Sequence, residues 1–299
     1  MAHHHGHHEA EHTHQTAFAV GVALNAGFVV IEAGYGFLTS SLALMADAGH
    51  NLGDVLGLLL AWAASRLAAQ PPTWTHTYGY RRGTILASLA SAALLFAAVG
   101  GITWEAIGRL AAPQPIEAMP VIIVAAIGVV INTATALMFM GGHKEDLNIK
   151  GAFLHMAADA VTSLGVVVAA IGMMVTGWLW LDPVLSLVIV AVIVASTWGL
   201  FRDSFQLLMD RVPQGIDLTE VSTFLASLEG VSEVHDLHVW AVSTTENVLT
   251  AHLVVPRGAD DGFLQHVSRM VDERFGIHHS TIQVETAAMD CDQACETAL

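Results

Sequence analysis

Two short segments place a histidine and a carboxylate inside stretches that are otherwise strongly apolar. They are Met45–Asp54, read MADAGHNLGD, and His155–Asp159, read HMAAD. In each segment a His and an Asp stand four residues apart, so on a helix both side chains lie on one face with Cβ atoms roughly 5 to 6 Å apart. Two such helices side by side would bring two imidazoles and two carboxylates together. That shell suits a borderline divalent ion such as zinc, and the spacing predicts a metal site of His50, Asp54, His155 and Asp159.

The cost of ionisable groups at membrane depth gives this site a functional meaning. Such groups usually line a pathway or face a partner. Metal ligands must be deprotonated to bind, so protons compete with the metal for the same four side chains. The pattern therefore predicts transport of a divalent ion in exchange for protons. The alternative is that each His and Asp only bonds a neighbouring helix, and two matched pairs favour the metal site over it.

The composition is that of a membrane protein. The chain has 299 residues, of which 54% are hydrophobic and 13% charged, and its mean hydropathy is +0.57. Apolar runs near the ~20 residues that a helix needs to cross a bilayer recur along the first two thirds. We place six spans at about Ala17–Leu38, Leu42–Leu67, Thr84–Ile107, Met119–Met140, Ile149–Thr176 and Pro183–Phe201.

Basic residues orient these spans. Most of them lie at the second connection, at the fourth connection and after the last span, which are all on one side of the membrane: Arg66, Arg81, Arg82, Lys144, Lys150, Arg202 and Arg211. The opposite side has only Arg109. The positive-inside rule then places both termini in the cytoplasm. No cleavable signal peptide is expected, because the N terminus is polar and the first apolar run is long enough to span.

The last third has a different character. From Asp203 onward there are 16 Asp and Glu against 4 Arg, so -12 of the formal charge of -16 lies there. This predicts a soluble acidic domain and argues against nucleic acid as a partner. Its helix and strand patterns follow the order αββαβ, typical of a small two-layer, ferredoxin-like α+β domain. We predict a disordered His-rich tail over 1–16, a transmembrane domain over 17–210, a cytoplasmic α+β domain over 211–290, and a Cys-containing tail over 291–299.

Residues 1–16 hold seven histidines and no Lys or Arg. Because Gly6, Glu9 and Glu11 interrupt the runs, we favour a native metal-collecting arm over a purification tag.

Other polar residues in the spans have more ordinary interpretations. Asp47 is either a cap in the early turns of its helix or a proton-handling carboxylate on the metal-site face. Asn25, Glu32 and Asn132 are expected to be interhelical hydrogen-bond partners. Asp182, followed by Pro183, is expected to cap the last span.

Longer motifs resemble the cation diffusion facilitator family, in particular its zinc-exporting branch. The resemblance covers nearly the whole chain and is carried by five segments: Ser41–Asp54, His76–Tyr80, Trp104–Ile107, Leu147–His155 and Val234–Trp240. It implies a homodimeric antiporter in the inner membrane of a bacterium that moves zinc out of the cytoplasm in exchange for protons by alternating access. It also implies that the domain over 211–290 is regulatory and mediates dimerisation. It also implies that the four residues named above are the transport site, and that His at position 50 favours zinc over cadmium.

The same resemblance implies secondary sites. Regulatory or structural zinc in the cytoplasmic domain would take His235, His252, Glu285 and either His278 or His279, and Cys291 and Cys295 could complete a site because thiolate is a strong zinc ligand. In the loop after the second span His76 matches one ligand, but Thr73 and Tyr80 replace the other two, so that site is expected to be weak or absent. Arg82 and Asp210 match a charge pair that locks the dimer.

Two other functions remain as alternatives. A membrane-embedded zinc enzyme would need three ligands, an open position for water and a catalytic base, whereas the predicted set has four ligands and no spare base, so an enzyme is not expected. A metal sensor that does not transport would need only the His-rich arm and the acidic domain. Within the transport hypothesis, a broader range that includes cadmium and cobalt also stays open.

Overall fold

The computed structural model describes residues 26–139 and 147–287, with side chains for 26–138 and 153–287. The His-rich segment 1–16, Asn25, Lys144, Cys291 and Cys295 lie outside the described residues, so the predictions for them are unchanged. The first two thirds of the described chain is helical, and a small sheet appears only in the last third. The helices of the first part are α1 (Ala26–Leu38), α2 (Leu42–Ala68), α3 (Gly83–Ala111), α4 (Ala118–Phe139), α5 (Leu147–Thr176) and α6 (Leu181–Leu208).

Helices α3 to α6 each contain a segment long and apolar enough to cross a membrane. Helix α2 is long enough, with 27 residues, but His50, Asp47 and Asp54 lower its hydropathy. Helix α1 is described only from Ala26. The predicted class, a helical transmembrane domain followed by a soluble α+β domain, is confirmed. The last span is longer than predicted, since α6 continues seven residues beyond Phe201 to Leu208.

By its internal contacts the chain divides into two units, and the first comprises residues 1–59 and 90–199. Its core is a cluster of buried aliphatic side chains with one aromatic, including Phe28, Leu44, Val166 and Ile193.

Close helix packing depends on Gly128 of α4. A Cβ at this position would lie 2.9 Å from Phe28 of α1 and 3.2 Å from Ser163 Oγ of α5. Only glycine therefore lets α4 approach both neighbours this closely.

A buried carboxylate fixes the start of α2. Asp182 is 1% exposed, and it accepts hydrogen bonds from Ser41 Oγ at 2.6 Å and from the backbone N–H groups of Leu42 at 2.8 Å and Ala43 at 3.2 Å. These donors would otherwise be unpaired at a helix N terminus, where the dipole also favours a negative charge. The expectation that Asp182 caps its own helix was wrong: α6 begins at Leu181, and the side chain caps α2 instead.

The second unit comprises residues 60–89 and 200–299 and contains the α+β domain. Its elements follow the predicted order αββαβ: α7 (Leu218–Ala226), β1 (Glu233–Ala241), β2 (Asn247–Val254), α8 (Asp261–Phe275) and β3 (His279–Glu285). The sheet order is β1-β2-β3, with β1 antiparallel and β3 parallel to β2. Buried residues of both helices and of the sheet, among them Leu225, Leu249 and Val267, form one core.

Local sequence signals set the ends of both helices in this domain. Asp217 and Asp260 cap α7 and α8 by accepting backbone N–H groups of the first turn. Helix α8 ends at Gly276, whose φ of 64° lies in the left-handed region that glycine adopts without strain. The turn after α8 then leads directly into β3, which places Glu285 at the end of a strand beside β2.

Candidate metal centre

The His and Asp pairs of α2 and α5 face each other. His50 Nε2 lies 3.3 Å from Asp159 Oδ1, and His155 Nε2 lies 3.2 Å from Asp54 Oδ2. Within each helix, His155 Nε2 is 3.6 Å from Asp159 Oδ2 and His50 Nδ1 is 3.9 Å from Asp54 Oδ2. The two imidazole centroids are 5.8 Å apart. The structure therefore brings together all four residues that the sequence spacing selected.

These distances match those of a tetrahedral metal shell. Ligand atoms about 2.0 to 2.2 Å from a tetrahedral zinc ion are roughly 3.3 to 3.6 Å from one another. Each contact between the helices, at 3.2 and 3.3 Å, is within about 0.1 Å of that edge length. Ligand atoms of His50, His155 and Asp159 all lie within 4.8 Å of one another, and Asp54 joins this group through its contact with His155.

The site is electrostatically unbalanced without a cation. Asp159 is 1% exposed, and neither of its oxygens has a hydrogen-bond partner among the described residues. Asp54 Oδ2 and His50 Nδ1 are likewise buried without a hydrogen bond from a described residue. A buried carboxylate that no hydrogen bond compensates costs several kcal/mol. A cation or protons at this position would remove that cost.

A second layer of buried polar side chains lies on the same helices. Ser163 Oγ donates to Asp47 Oδ2 at 2.7 Å, and Asn51 Nδ2 donates to Glu32 Oε2 at 3.1 Å. Asp47 thus contacts α5 and does not cap α2. Glu32 is an interhelical hydrogen-bond partner, as expected. Asn132 is fully buried, but neither atom of its amide has a partner among the described residues.

Sequence reasoning did not select Ser163 or Asn51. Ser163 stands four residues after Asp159, on the same face of α5, and Asn51 directly follows His50. Helical spacing from the metal-site residues was therefore the available signal for Ser163.

The α+β domain holds a second His and carboxylate cluster. His235 Nε2 lies 3.1 Å from Glu285 Oε2, and His252 Nδ1 lies 3.0 Å from Glu285 Oε1. Strand register explains the group, since His235 is paired with His252 across β1 and β2 and Glu285 ends the adjacent β3. Asp236, which the sequence analysis missed, lies 3.4 Å from His252 Nε2 through its Oδ2. A bulge between His235 and His238, with φ of 51° at Asp236, turns this side chain toward the cluster.

The other histidines predicted for this domain lie elsewhere. His278 Nδ1 is 2.6 Å from Asp272 Oδ1 at the end of α8. His279 has its ring 5.9 Å from that of Tyr78. The structure places neither in the group formed by His235, His252 and Glu285.

The loop after α2 does not gather a metal shell around His76. Its Nδ1 lies 3.1 Å from Thr75 Oγ1, and its ring lies 4.7 Å from that of Tyr80. The part of the chain that the structure describes places no carboxylate ion pair on His76, and the expectation of a weak or absent site stays a prediction.

Two arginines at the start of α3 form ion pairs with the last third of the chain. Arg82 Nη2 lies 2.7 Å from Asp210 Oδ1, so the pair matched by resemblance forms within one chain, with both side chains about half exposed. Arg81 forms a second pair with Glu246 in the β1–β2 turn, which the sequence analysis did not predict. The adjacent Thr84 Oγ1 accepts the Thr244 backbone N–H at 3.0 Å.

Comparison with known proteins covers both parts of the chain. Residues 18–209 match the family model of the cation efflux transmembrane domain, and residues 213–287 match that of the cation efflux protein cytoplasmic domain. The "Cadmium, cobalt and zinc/H(+)-K(+) antiporter" of Bacillus subtilis is 34% identical over 294 residues, which are 97% of this chain and 94% of the relative. The "Metal cation efflux system protein CzcD" of Cupriavidus metallidurans is 36% identical over 282 residues, 94% of this chain and 89% of the relative. The "Zinc transporter ZitB" of Escherichia coli is 35% identical over 291 residues, 95% of this chain and 93% of the relative.

Both family models, taken together, cover nearly all of the described residues, and the relatives align over almost their full lengths. The apolar helices α3 to α6 make the chain a multi-pass membrane protein. The chain belongs to the cation efflux family, the cation diffusion facilitators, and within it resembles the bacterial ZitB and CzcD proteins.

Proposed function

We propose that this protein is a proton-coupled antiporter that exports zinc from the cytoplasm through the site formed by His50, Asp54, His155 and Asp159. The observation that carries the proposal is the meeting of the two pairs, with His50 Nε2 3.3 Å from Asp159 Oδ1 and His155 Nε2 3.2 Å from Asp54 Oδ2. Alternating access would expose this site to each side of the membrane in turn. Zinc is the transported substrate in this proposal, so each ion binds to the site and then leaves it.

Charge explains why protons are the exchanged partner. Asp54 and Asp159 together neutralise one dipositive ion, and the two neutral imidazoles complete the shell. When zinc leaves, the same carboxylates and imidazoles lie within 3.2 to 3.9 Å of one another and can hold protons in its place. Zinc and protons therefore exclude each other at one set of atoms, which is the requirement for exchange.

Nitrogen and oxygen ligands without thiolate support zinc and cobalt, and they fit softer cadmium less well. The names of the relatives include zinc, cadmium and cobalt, so the alternative of a broader metal range is part of the proposal to be tested.

We infer a homodimer in the inner membrane of a bacterium, with both termini cytoplasmic. The domains proposed are a His-rich tail at 1–16, a transmembrane domain at 17–210, a cytoplasmic domain at 211–290 and a tail at 291–299. The protein is not an enzyme.

A second metal ion is proposed for the cytoplasmic domain. The residues present fit one, because the atoms of His235, His252 and Glu285 lie within 4.8 Å of one another and Glu285 is 5% exposed. Asp236 supplies a further oxygen at 3.4 Å from His252. Bound there, zinc would link all three strands of the sheet and so serve a structural or regulatory role. The proposed site therefore consists of His235, His252, Glu285 and Asp236 and does not include His278. Cys291 and Cys295 lie outside the described residues and remain candidate ligands.

The test is flux of zinc and of protons in the same proteoliposomes, with indicators for both ions. The wild type should move protons inward as zinc leaves, and Asp159→Asn should abolish both fluxes. Asp203→Asn, the same change at a side chain that is 35% exposed near the end of α6, is the matched control and should leave both fluxes intact. Zinc flux without proton flux in the wild type would overturn antiport, and zinc binding without any zinc flux would indicate the sensor.

Metal preference is tested by His50→Asp in the same vesicles. Replacing the imidazole by a third carboxylate should raise the cadmium to zinc transport ratio, because the ligand set loses a nitrogen that suits zinc. An unchanged cadmium to zinc ratio would show that His50 does not set metal selectivity. It would not contradict the transport proposal, which the flux experiment tests.

A further inference from the structure

A second pair of carboxyl groups lies in the transmembrane domain, apart from the metal centre. Glu32 of α1 and Asp47 of α2 are both 0% exposed, and they are neighbours, because Asn51, which donates to Glu32, stands one helical turn after Asp47 on the same face of α2. Asn51 donates to Glu32 Oε2 at 3.1 Å, and Ser163 donates to Asp47 Oδ2 at 2.7 Å. None of these four residues belongs to the group of potential metal ligands.

The buried atoms of this cluster that have no partner among the described residues are all acceptors. They are Glu32 Oε1, Asp47 Oδ1 and the amide oxygen Asn51 Oδ1. Asn51 is itself fully buried, and its other amide atom is already used on Glu32. Two neighbouring carboxylates have no hydrogen to offer each other unless one of them is protonated. The missing component is therefore a hydrogen on one of these oxygens.

Charge leads to the same conclusion. Two neighbouring carboxyl groups buried in a low-dielectric interior do not both ionise, so such a pair holds one proton between them. The neighbouring ionisable groups are His50, one turn after Asp47 on α2, and Asp159, one turn before the Ser163 that donates to Asp47. One shared proton leaves the pair with a single negative charge.

We propose that Glu32 and Asp47 form a proton-binding site that is separate from the metal ligands, and that its proton is one of those exchanged for zinc. The inference rests on the proposed antiport function and deepens it. Asp47 stands one helical turn before His50, and Ser163, which donates to Asp47, stands one turn after Asp159. A dipositive ion at His50 and Asp159 therefore favours loss of the shared proton, and departure of the ion favours its return. By linkage, the proton on the pair weakens metal binding by the same factor.

The experiment measures protons moved per zinc ion in proteoliposomes for the wild type and for Glu32→Gln. Glutamine keeps the shape and can donate to Asp47, but it carries no exchangeable acid. The variant should still transport zinc, with one proton fewer per ion. Glu105→Gln, the same change at a half-exposed position on α3, is the control and should keep the wild-type ratio.

The outcomes separate this inference from the proposed function. If the wild type exchanges zinc for protons and Glu32→Gln moves the same number of protons per zinc ion, this inference is wrong but the antiport proposal stands. If the wild type moves zinc without protons, both the antiport proposal and this inference are wrong. A second measurement covers a variant that transports poorly. Infrared spectra of the purified wild type at neutral pH should show a buried carboxylic acid C=O band, and that band should be lost in both Glu32→Gln and Asp47→Asn. Persistence of the band in both variants contradicts the assignment.

Discussion

Replacement of Asp159 by Asn tests the metal centre most directly. Asp159 is buried, with 1% exposure, and it contacts both imidazoles, at 3.3 Å from His50 and 3.6 Å from His155. Asparagine has nearly the same shape and keeps one carbonyl oxygen as a ligand. The substitution therefore removes a negative charge and little else, and any loss of metal affinity reports electrostatics.

The magnitude follows from Coulomb's law. Two unit charges 4 Å apart interact by about 4 kcal/mol at the effective dielectric constant of protein sites, and a divalent ion in direct contact interacts at least as strongly. A loss of about 4 kcal/mol weakens binding by roughly 10³-fold. At a zinc concentration 100 times the wild-type Kd, zinc stabilises the wild type by about 2.7 kcal/mol, and the same zinc would stabilise the variant by only about 0.1 kcal/mol.

Two assays on the purified, full-length protein check this. Titration calorimetry gives the affinity, and thermal unfolding with and without zinc gives the stabilisation. Thermal unfolding of Asp159→Asn without zinc serves as the check that the variant is folded. Asp203→Asn should behave as the wild type throughout. An affinity within tenfold of the wild type would refute the assignment of Asp159 as a ligand.

Three further predictions concern stability and the second metal. Asp182→Ala should lower the free energy of unfolding by roughly 3 kcal/mol or more, because Ser41 Oγ and two backbone N–H groups lose a charged acceptor; an unchanged unfolding curve would show that this cap is dispensable. Gly128→Val should cost roughly 1 to 3 kcal/mol, since even its Cβ would lie 2.9 Å from Phe28, and a melting temperature equal to that of the wild type would contradict the close packing. Glu285→Gln should reduce bound zinc from two ions per chain to one while zinc flux through the transport site persists. Stoichiometry measured by calorimetry checks this change, and two ions still bound to the variant would remove Glu285 from the site.

Local spacing was sufficient for much of the transmembrane domain. Apolar runs of bilayer length predicted the helices, because a chain in lipid must satisfy its backbone hydrogen bonds internally. The interval of four residues between His50 and Asp54, and between His155 and Asp159, predicted two shared helix faces, and the structure sets those faces against each other. The αββαβ order was also readable, since the periods of helices and strands differ.

Contacts between distant residues depended on the tertiary structure. Asp182 caps α2 across 140 residues of sequence, and no local pattern distinguishes that role from capping its own helix. The same holds for Asp236, which faces His252 only because a bulge interrupts the regular alternation of β1. Glu32 and Asp47 look like two isolated polar residues in the sequence. They become a pair with unsatisfied oxygens only when α1 packs on α2 and water is excluded, because burial and proximity are properties of the folded chain.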